Sequence, residues 1–212
     1  MSFSERLMFL QQLRNEVVTT GALTPSSRFL ANAITSEFAK RKRKPSVILE
    51  VGPGTGVFTK KITSYLQVND EFHICEINPS FAKHLKELVQ QDPLFEPYKD
   101  KIFIHVMPVQ EIDKHLKFDY IISSLPMNNF PVQVVKDIQI YYKNALKEQG
   151  TLSYFEYIGI RRTRCYLSQG ENRMKVRELD TVLRSFIKQH EYYHQYVLLN
   201  IMPAHVRHLR FA

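Results

Sequence analysis

Residues Leu49–Phe58 read LEVGPGTGVF. The run that leads into them, SVILEV from Ser46 to Val51, is apolar except for Ser46 and Glu50, and it delivers Gly52, Gly54 and Gly56 in alternate positions. A continuous apolar run is what a strand covered on both faces requires. Glycine just after it permits positive φ and close approach by a ligand. In an open α/β sheet, ligands bind beyond the carboxyl ends of the strands. The stretch therefore predicts the first strand of a parallel sheet and a backbone cradle at its end.

Outward from this point, strands alternate with helices. Thr59–Leu66 reads as a helix, EFHICEI as a strand, and NPSFAKHLKELVQQ as a helix capped by Asn78 or Ser80. KIFIHV and FDYIISS are further strands. Pro131–Leu146 is a helix, Gly150 ends the connection, TLSYFEYI is a fifth strand, and Glu171–Gln189 is helical. The tail YHQYVLLNIMPAHVRHLRF reads as two strands that turn at NIMPA, with Pro203 in the turn. Such alternation means a mostly parallel sheet with helices on both faces, and the terminal hairpin implies a last strand inserted antiparallel.

Upstream, Phe3, Leu7, Leu10, Leu13 and Val17 recur at helical spacing, and a second helix is expected over Ser26–Ala39. KRKRKP, Lys40–Pro45, reads as a solvated connector. One domain over 1–212 is expected, with 1–45 a helical cap and 46–212 the core. The chain has 212 residues, with 29 Lys+Arg against 21 Asp+Glu and a formal charge of +8, which favours anionic partners. The two cysteines, Cys75 and Cys165, offer neither metal spacing nor a disulfide framework, so a reducing cytoplasm is expected. Charged residues interrupt the N-terminal apolar pattern, which argues against a signal peptide, and no apolar run is long enough to span a bilayer.

The glycine turn admits a dinucleotide, a phosphate or a methyl donor. A phosphate loop needs Gly-Lys-Ser/Thr, where Val57 and Phe58 stand. A dinucleotide fingerprint is G-x-G-x-x-G, whereas the spacing here is G-x-G-x-G. Glu50 before the turn repels phosphate and suits a cationic amino group. Glu76, ending the second strand, suits the two hydroxyls of a ribose. A ribose, a positive centre and an amino acid tail together describe S-adenosylmethionine.

At this point E-x-G-x-G-x-G and the acid after the second strand resemble a class I methyltransferase. GALTPSSRFLANAI, ILEVGPGTGVFTKKI, EINPSFAKHL, SSLPMNNFP and LLNIMPAHVRHLRF resemble, in order and spacing, the bacterial phospholipid N-methyltransferases of the phosphatidylethanolamine type. The resemblance implies a seven-stranded Rossmann-like α/β fold. It implies S-adenosylmethionine around Gly52, Gly54 and Gly56, with Glu76 and Ile77 on the nucleoside and Thr24, Ser26 and Ser27 closing over the amino acid end. S-adenosylhomocysteine would be the product. It further implies a phospholipid acceptor and peripheral attachment of Phe3–Val18 to an anionic membrane surface at the inner face. Three positions depart from the family pattern. Met107 and Pro108 stand where an acid would hold adenine, leaving Val109 and Gln110 to substitute; Ser124 replaces a glycine; Glu156 replaces a threonine.

Methyl transfer to an amine needs positioning, exclusion of water and a neutral nucleophile. Ser123, Leu125 and Pro126 are expected to floor the space between donor and acceptor. Aromatic faces favour a methylated ammonium, and Tyr157 is the first candidate among Tyr154, Phe155 and Tyr157. Alternation puts Tyr154 and Glu156 on one face and Phe155 and Tyr157 on the other. Arg161, Arg162 and Arg164 are candidates for a lipid phosphate. His190 and His194 lie four apart without a third ligand nearby in sequence, so no metal is expected. Two rivals stand. One is a methyltransferase acting on RNA or a small molecule; adenine N6 methylation of RNA generally uses Asn/Asp-x-Pro-aromatic where this chain has Ser-Leu-Pro-Met, so no nucleic acid is expected. The other is a non-catalytic protein that binds the donor.

Overall fold

The computed structural model describes residues 28–42, 44–159, 170–200 and 202–211. The expected helix Phe3–Val18, the Thr24–Ser27 segment, Arg161, Arg162, Arg164 and Cys165 lie outside them. Seven strands form one sheet: β1 Val47–Val51, β2 Glu71–Cys75, β3 Ile102–His105, β4 Phe118–Ser123, β5 Leu146–Tyr157, β6 Glu191–Val197 and β7 Ala204–Leu209. Their spatial order is β3-β2-β1-β4-β5-β7-β6. The first five run parallel, and β7 lies antiparallel between β5 and β6. The order reverses between β1 and β4, which places the ligand crevice beyond Val51 and Ser123.

Strand alternation divides the core into two layers. Leu49, Val51, Ile121, Leu152 and Tyr154 face α5 (Val132–Ala145) and α6 (Gly170–His190). Ile48, Ile74, Ile122 and Val206 face α1 (Arg28–Ile34), α2 (Ser36–Ala39), α3 (Val57–Thr63) and α4 (Pro79–Gln91). Asn78 caps α4, its side chain accepting from the Ser80 N–H at 2.9 Å, and Pro79 supplies the first helical residue.

Three local expectations change. The single helix expected over Ser26–Ala39 breaks at Thr35 within its described part, where the buried hydroxyl donates to the Ala31 carbonyl at 2.6 Å and competes with the helix. The connector Lys40–Pro45 is not solvated throughout. The Arg41 side chain is covered, stacks on Phe38 at 3.9 Å and pairs with Asp70, whose carboxylate also accepts from the Ser46 and Gln67 N–H groups. Finally, the fifth strand begins at Leu146 rather than Thr151. Its register shifts between Phe118 and Tyr120, and Gln149 takes φ 63° in the irregular stretch. A Cβ at Gly150 would lie 2.6 Å from Leu146 Cδ2 and 2.9 Å from the Lys147 carbonyl, so only glycine fits there.

Candidate active site

The ladder hydrogen bonds continue past the strand ends and fix the crevice. Gly52 N–H donates to the Cys75 carbonyl at 2.9 Å, Ser124 N–H to Val51 at 2.8 Å, and Glu76 N–H to His105 at 3.0 Å. Gly52, Gly54 and Gly56 take φ of 76°, 60° and 84°, all in the left-handed region. They do not serve one purpose. Gly52 lines the crevice. Gly56 caps α3, and a Cβ there would meet Leu88 Cδ2 at 2.8 Å and Leu85 Cδ2 at 3.2 Å. Packing of the turn against α4 therefore requires Gly56.

Glu76 is fully buried. One carboxylate oxygen accepts from the Gly54 N–H at 3.2 Å and the other from the Asn78 N–H at 2.9 Å. These contacts fix an acid at the lip of the glycine turn. Beside it opens a narrow crevice with a mostly apolar lining. Gly52, Ile77, Val109 and Gln110, expected from the sequence as donor-binding residues, line it, and so does Leu125, expected on the floor between donor and acceptor. Val51, Cys75, Met107, Pro108, Phe130 and Ile138 complete it. Sequence reading missed Phe130 and Ile138, because nothing local marks a buried ring or a helix residue as facing a site. The missing acid at Met107 and Pro108 leaves an apolar slot with one amide, that of Gln110.

Glu50 lies on the other face of β1. It is fully buried and accepts from the Thr59 hydroxyl at 2.7 Å. Tyr157 is on this face too, set edge-on against Phe155 at 5.3 Å, which meets Phe58 at 6.0 Å. Burial raises the Tyr157 pKa, so it stays a neutral phenol. The candidates thus straddle the sheet: Ile77, Val109, Gln110 and Leu125 on the α5 side, Glu50 and Tyr157 on the α3 side.

Between the two groups lies the turn after β4. Ser123 is buried, and its Oγ accepts from the Tyr142 phenol at 2.8 Å and from the Leu125 N–H at 3.4 Å. Pro126 is partly exposed and precedes a short 3₁₀ turn, Met127–Asn129. The Ser124 hydroxyl is buried without a hydrogen-bond partner among the described residues.

A turn of three left-handed glycines, an anchored acid after β2 and an inserted antiparallel strand define a methyltransferase of the Rossmann-like class. Residues 25–144, more than half of the chain, match the ribosomal RNA adenine dimethylase family, and the chain belongs to that family. An ornithine lipid N-methyltransferase from Singulisphaera acidiphila is 24% identical over 148 residues, spanning 69% of this chain and 74% of that one. A glycopeptide N-methyltransferase, MtfA, solved with S-adenosyl-L-methionine, superposes with a TM-score of 0.62 at 11% identity, over 84% of this chain and 86% of that one. A precorrin-6y C5,15-methyltransferase from Geobacter metallireducens gives 0.57 at 11%, over 86% and 88%. The expected fold, with its seven strands and terminal antiparallel hairpin, is that of this chain.

Proposed function

We propose that this methyltransferase transfers a methyl group to the amine of a lipid headgroup, with phosphatidylethanolamine as the first acceptor to test. The observation that carries the reading is an apolar corner at the end of the sheet where the parallel strands finish, the end at which the crevice also opens. Phe29, Ile158, Tyr196, Leu198, Leu199 and Met202, each between 36% and 72% exposed, gather where β5 ends and the β6–β7 hairpin turns. Phe29, Tyr196, Leu198 and Leu199 line a groove there, and the Ile158 N–H joins the hairpin through the Pro203 carbonyl at 2.8 Å. Large exposed apolar patches mark interaction surfaces. With a formal charge of +8, this one suits an anionic bilayer, reached peripherally from the cytoplasmic side. No described helix is long and apolar enough to cross a membrane. The name of the Singulisphaera relative points to the same acceptor chemistry.

The methyl donor is S-adenosylmethionine, and the described residues fit it. Glu76 would accept the ribose hydroxyls, the apolar slot at Ile77, Val109, Gln110 and Leu125 would take the adenine, and Gly52, Gly54 and Glu50 would meet the amino acid end. Thr24, Ser26 and Ser27 are proposed to close over that end. When bound, the donor supplies a methyl group on a sulfonium and leaves as S-adenosylhomocysteine. Ser123, Leu125 and Pro126 would floor the acceptor position, and Tyr157, a neutral phenol, would offer its ring face to the cationic product. The attacking amine must be neutral, and the Ser124 hydroxyl, buried without a partner among the described residues, is our candidate to accept its hydrogen bond.

The family's description favours a second reading, adenine methylation in RNA. Ser124-Leu125-Pro126-Met127 opposes it, because neither the Asn/Asp nor the aromatic ring that clamps a flipped adenine is present. The test uses labelled S-adenosylmethionine with vesicles of phosphatidylethanolamine, vesicles of ornithine lipid, or ribosomal RNA. Label in the extracted lipid supports the proposal, and the vesicle type identifies the amine. Label in RNA alone would overturn it.

A further inference from the structure

We propose a zinc-type metal site on the terminal hairpin, formed by Glu191, His194 and His205. The sequence set His190 and His194 aside for want of a third ligand. The fold separates that pair and supplies another. His190 packs against Phe186 and Phe211, with ring centroids at 5.4 Å and 4.8 Å. His194 instead meets His205, their rings 4.8 Å apart and nearly perpendicular.

The third ligand arrives by a break in strand parity. Residues 191 and 194 of a regular strand face opposite ways. The β6 register, however, skips between Glu191 and Tyr193: Glu191 pairs with Leu209, Tyr193 with His208, and His194 with Arg207. Two residues there oppose one, and the bulge turns Glu191 onto the His194 side. One ligand atom from each of Glu191, His194 and His205 then lies within 4.8 Å of the others. Ligands of a tetrahedral zinc ion at ~2.0–2.1 Å stand about 3.4 Å apart, so the widest pair has to close by no more than about 1.4 Å, while Glu191 and His194 are already at 3.1 Å.

Two of the three are already held. Glu191 pairs with Arg207, which also reaches Glu156 at 3.3 Å, and His205 stacks on Tyr196 at 4.3 Å. His194 is 46% exposed, sits 3.1 Å from the Glu191 carboxylate, and can rotate inward. Arg207 brings one positive charge against the two of Glu156 and Glu191, so the surroundings remain anionic. Two imidazoles and one carboxylate suit zinc over calcium or magnesium, which prefer oxygen alone. A bound ion would staple edge strand β6 to β7, leaving a fourth position for water or an anion.

Tag-free, chelator-treated protein is titrated with zinc chloride by calorimetry, and separately with cobalt(II) chloride while its visible spectrum is read. We expect one saturable equivalent of zinc and intense cobalt bands of a four-coordinate ion. His194→Ala and His205→Ala should each weaken zinc on the order of tenfold or more, with native circular dichroism, while His190→Ala changes nothing. Absence of saturable binding to the unaltered protein overturns the site. So does affinity that survives His194→Ala and His205→Ala, or affinity that is lost with His190→Ala.

Discussion

The Tyr142 phenol donates to Ser123 Oγ at 2.8 Å with both groups buried. Burial raises the Tyr142 pKa, so the phenol is a fixed donor at any working pH. It ties α5 to the turn after β4, and Ser123 passes the restraint to the Leu125 N–H. Tyr142→Phe keeps the ring and removes the bond. It should cost about 1 kcal/mol of stability and lower kcat on the order of tenfold, leaving donor affinity unchanged. Steady-state kinetics beside urea unfolding separates the two effects. An unaltered kcat would deny the turn any positioning role.

Glu76 carries the second prediction. Glu76→Ala leaves the Gly54 and Asn78 N–H groups without their acceptor and removes the proposed ribose contact. S-adenosylhomocysteine affinity should fall on the order of 10- to 100-fold, as the loss of charged hydrogen bonds implies. Glu76→Gln should fall less. Calorimetry reads both, and unchanged binding would remove Glu76 from the donor site.

Gly56 separates packing from binding. Gly56→Ala places a methyl against Leu88 and forces an L-residue into φ 84°, at a cost of about 1–3 kcal/mol. Chemical denaturation should show that loss while donor affinity changes less than about twofold. The opposite pattern would return Gly56 to the ligand.

Two buried histidines set an acid limit. Burial lowers His73 to about 4, helped by the neighbouring His105, and burial lowers His208 to about 4 as well. The unfolded chain, with histidines near 6.5, binds more protons than the folded one between these values. Stability is therefore full above pH 6.5 and is lost as pH falls towards 4, by up to roughly 3 kcal/mol per histidine. Urea midpoints at several pH values test this. His73→Gln should flatten the slope, and a slope unchanged by it would assign the limit elsewhere.

Much of the fold was legible because period and punctuation agreed. SVILEV and EFHIC announce covered strands, Asn78-Pro79 announces a helix start, and Pro203 announces the last turn. What escaped depends on contacts distant in sequence. Arg41 looks like one more connector charge until Asp70, brought in by the β1–β2 pairing, accepts it. The split of the glycines was hidden too, since only the packing of α4 reveals what Gly56 touches. In the site, Glu76, Ile77 and Gln110 were readable from their place after strand ends. Phe130 and Ile138, which line the crevice, and Tyr142, which bonds to Ser123 beside it, were not, because they come from a helix and a turn whose docking no local pattern encodes.

The insertion of β7 between β5 and β6 has a consequence for synthesis. A chain emerging from the ribosome makes β6 before the strand that must separate it from β5. Until Ala204–Leu209 arrives, β5 presents an unpaired edge bearing Leu152, Tyr154 and Phe155. The sheet thus closes last at its most aggregation-prone seam. Nascent chains arrested before β7 should be the species that chaperones hold.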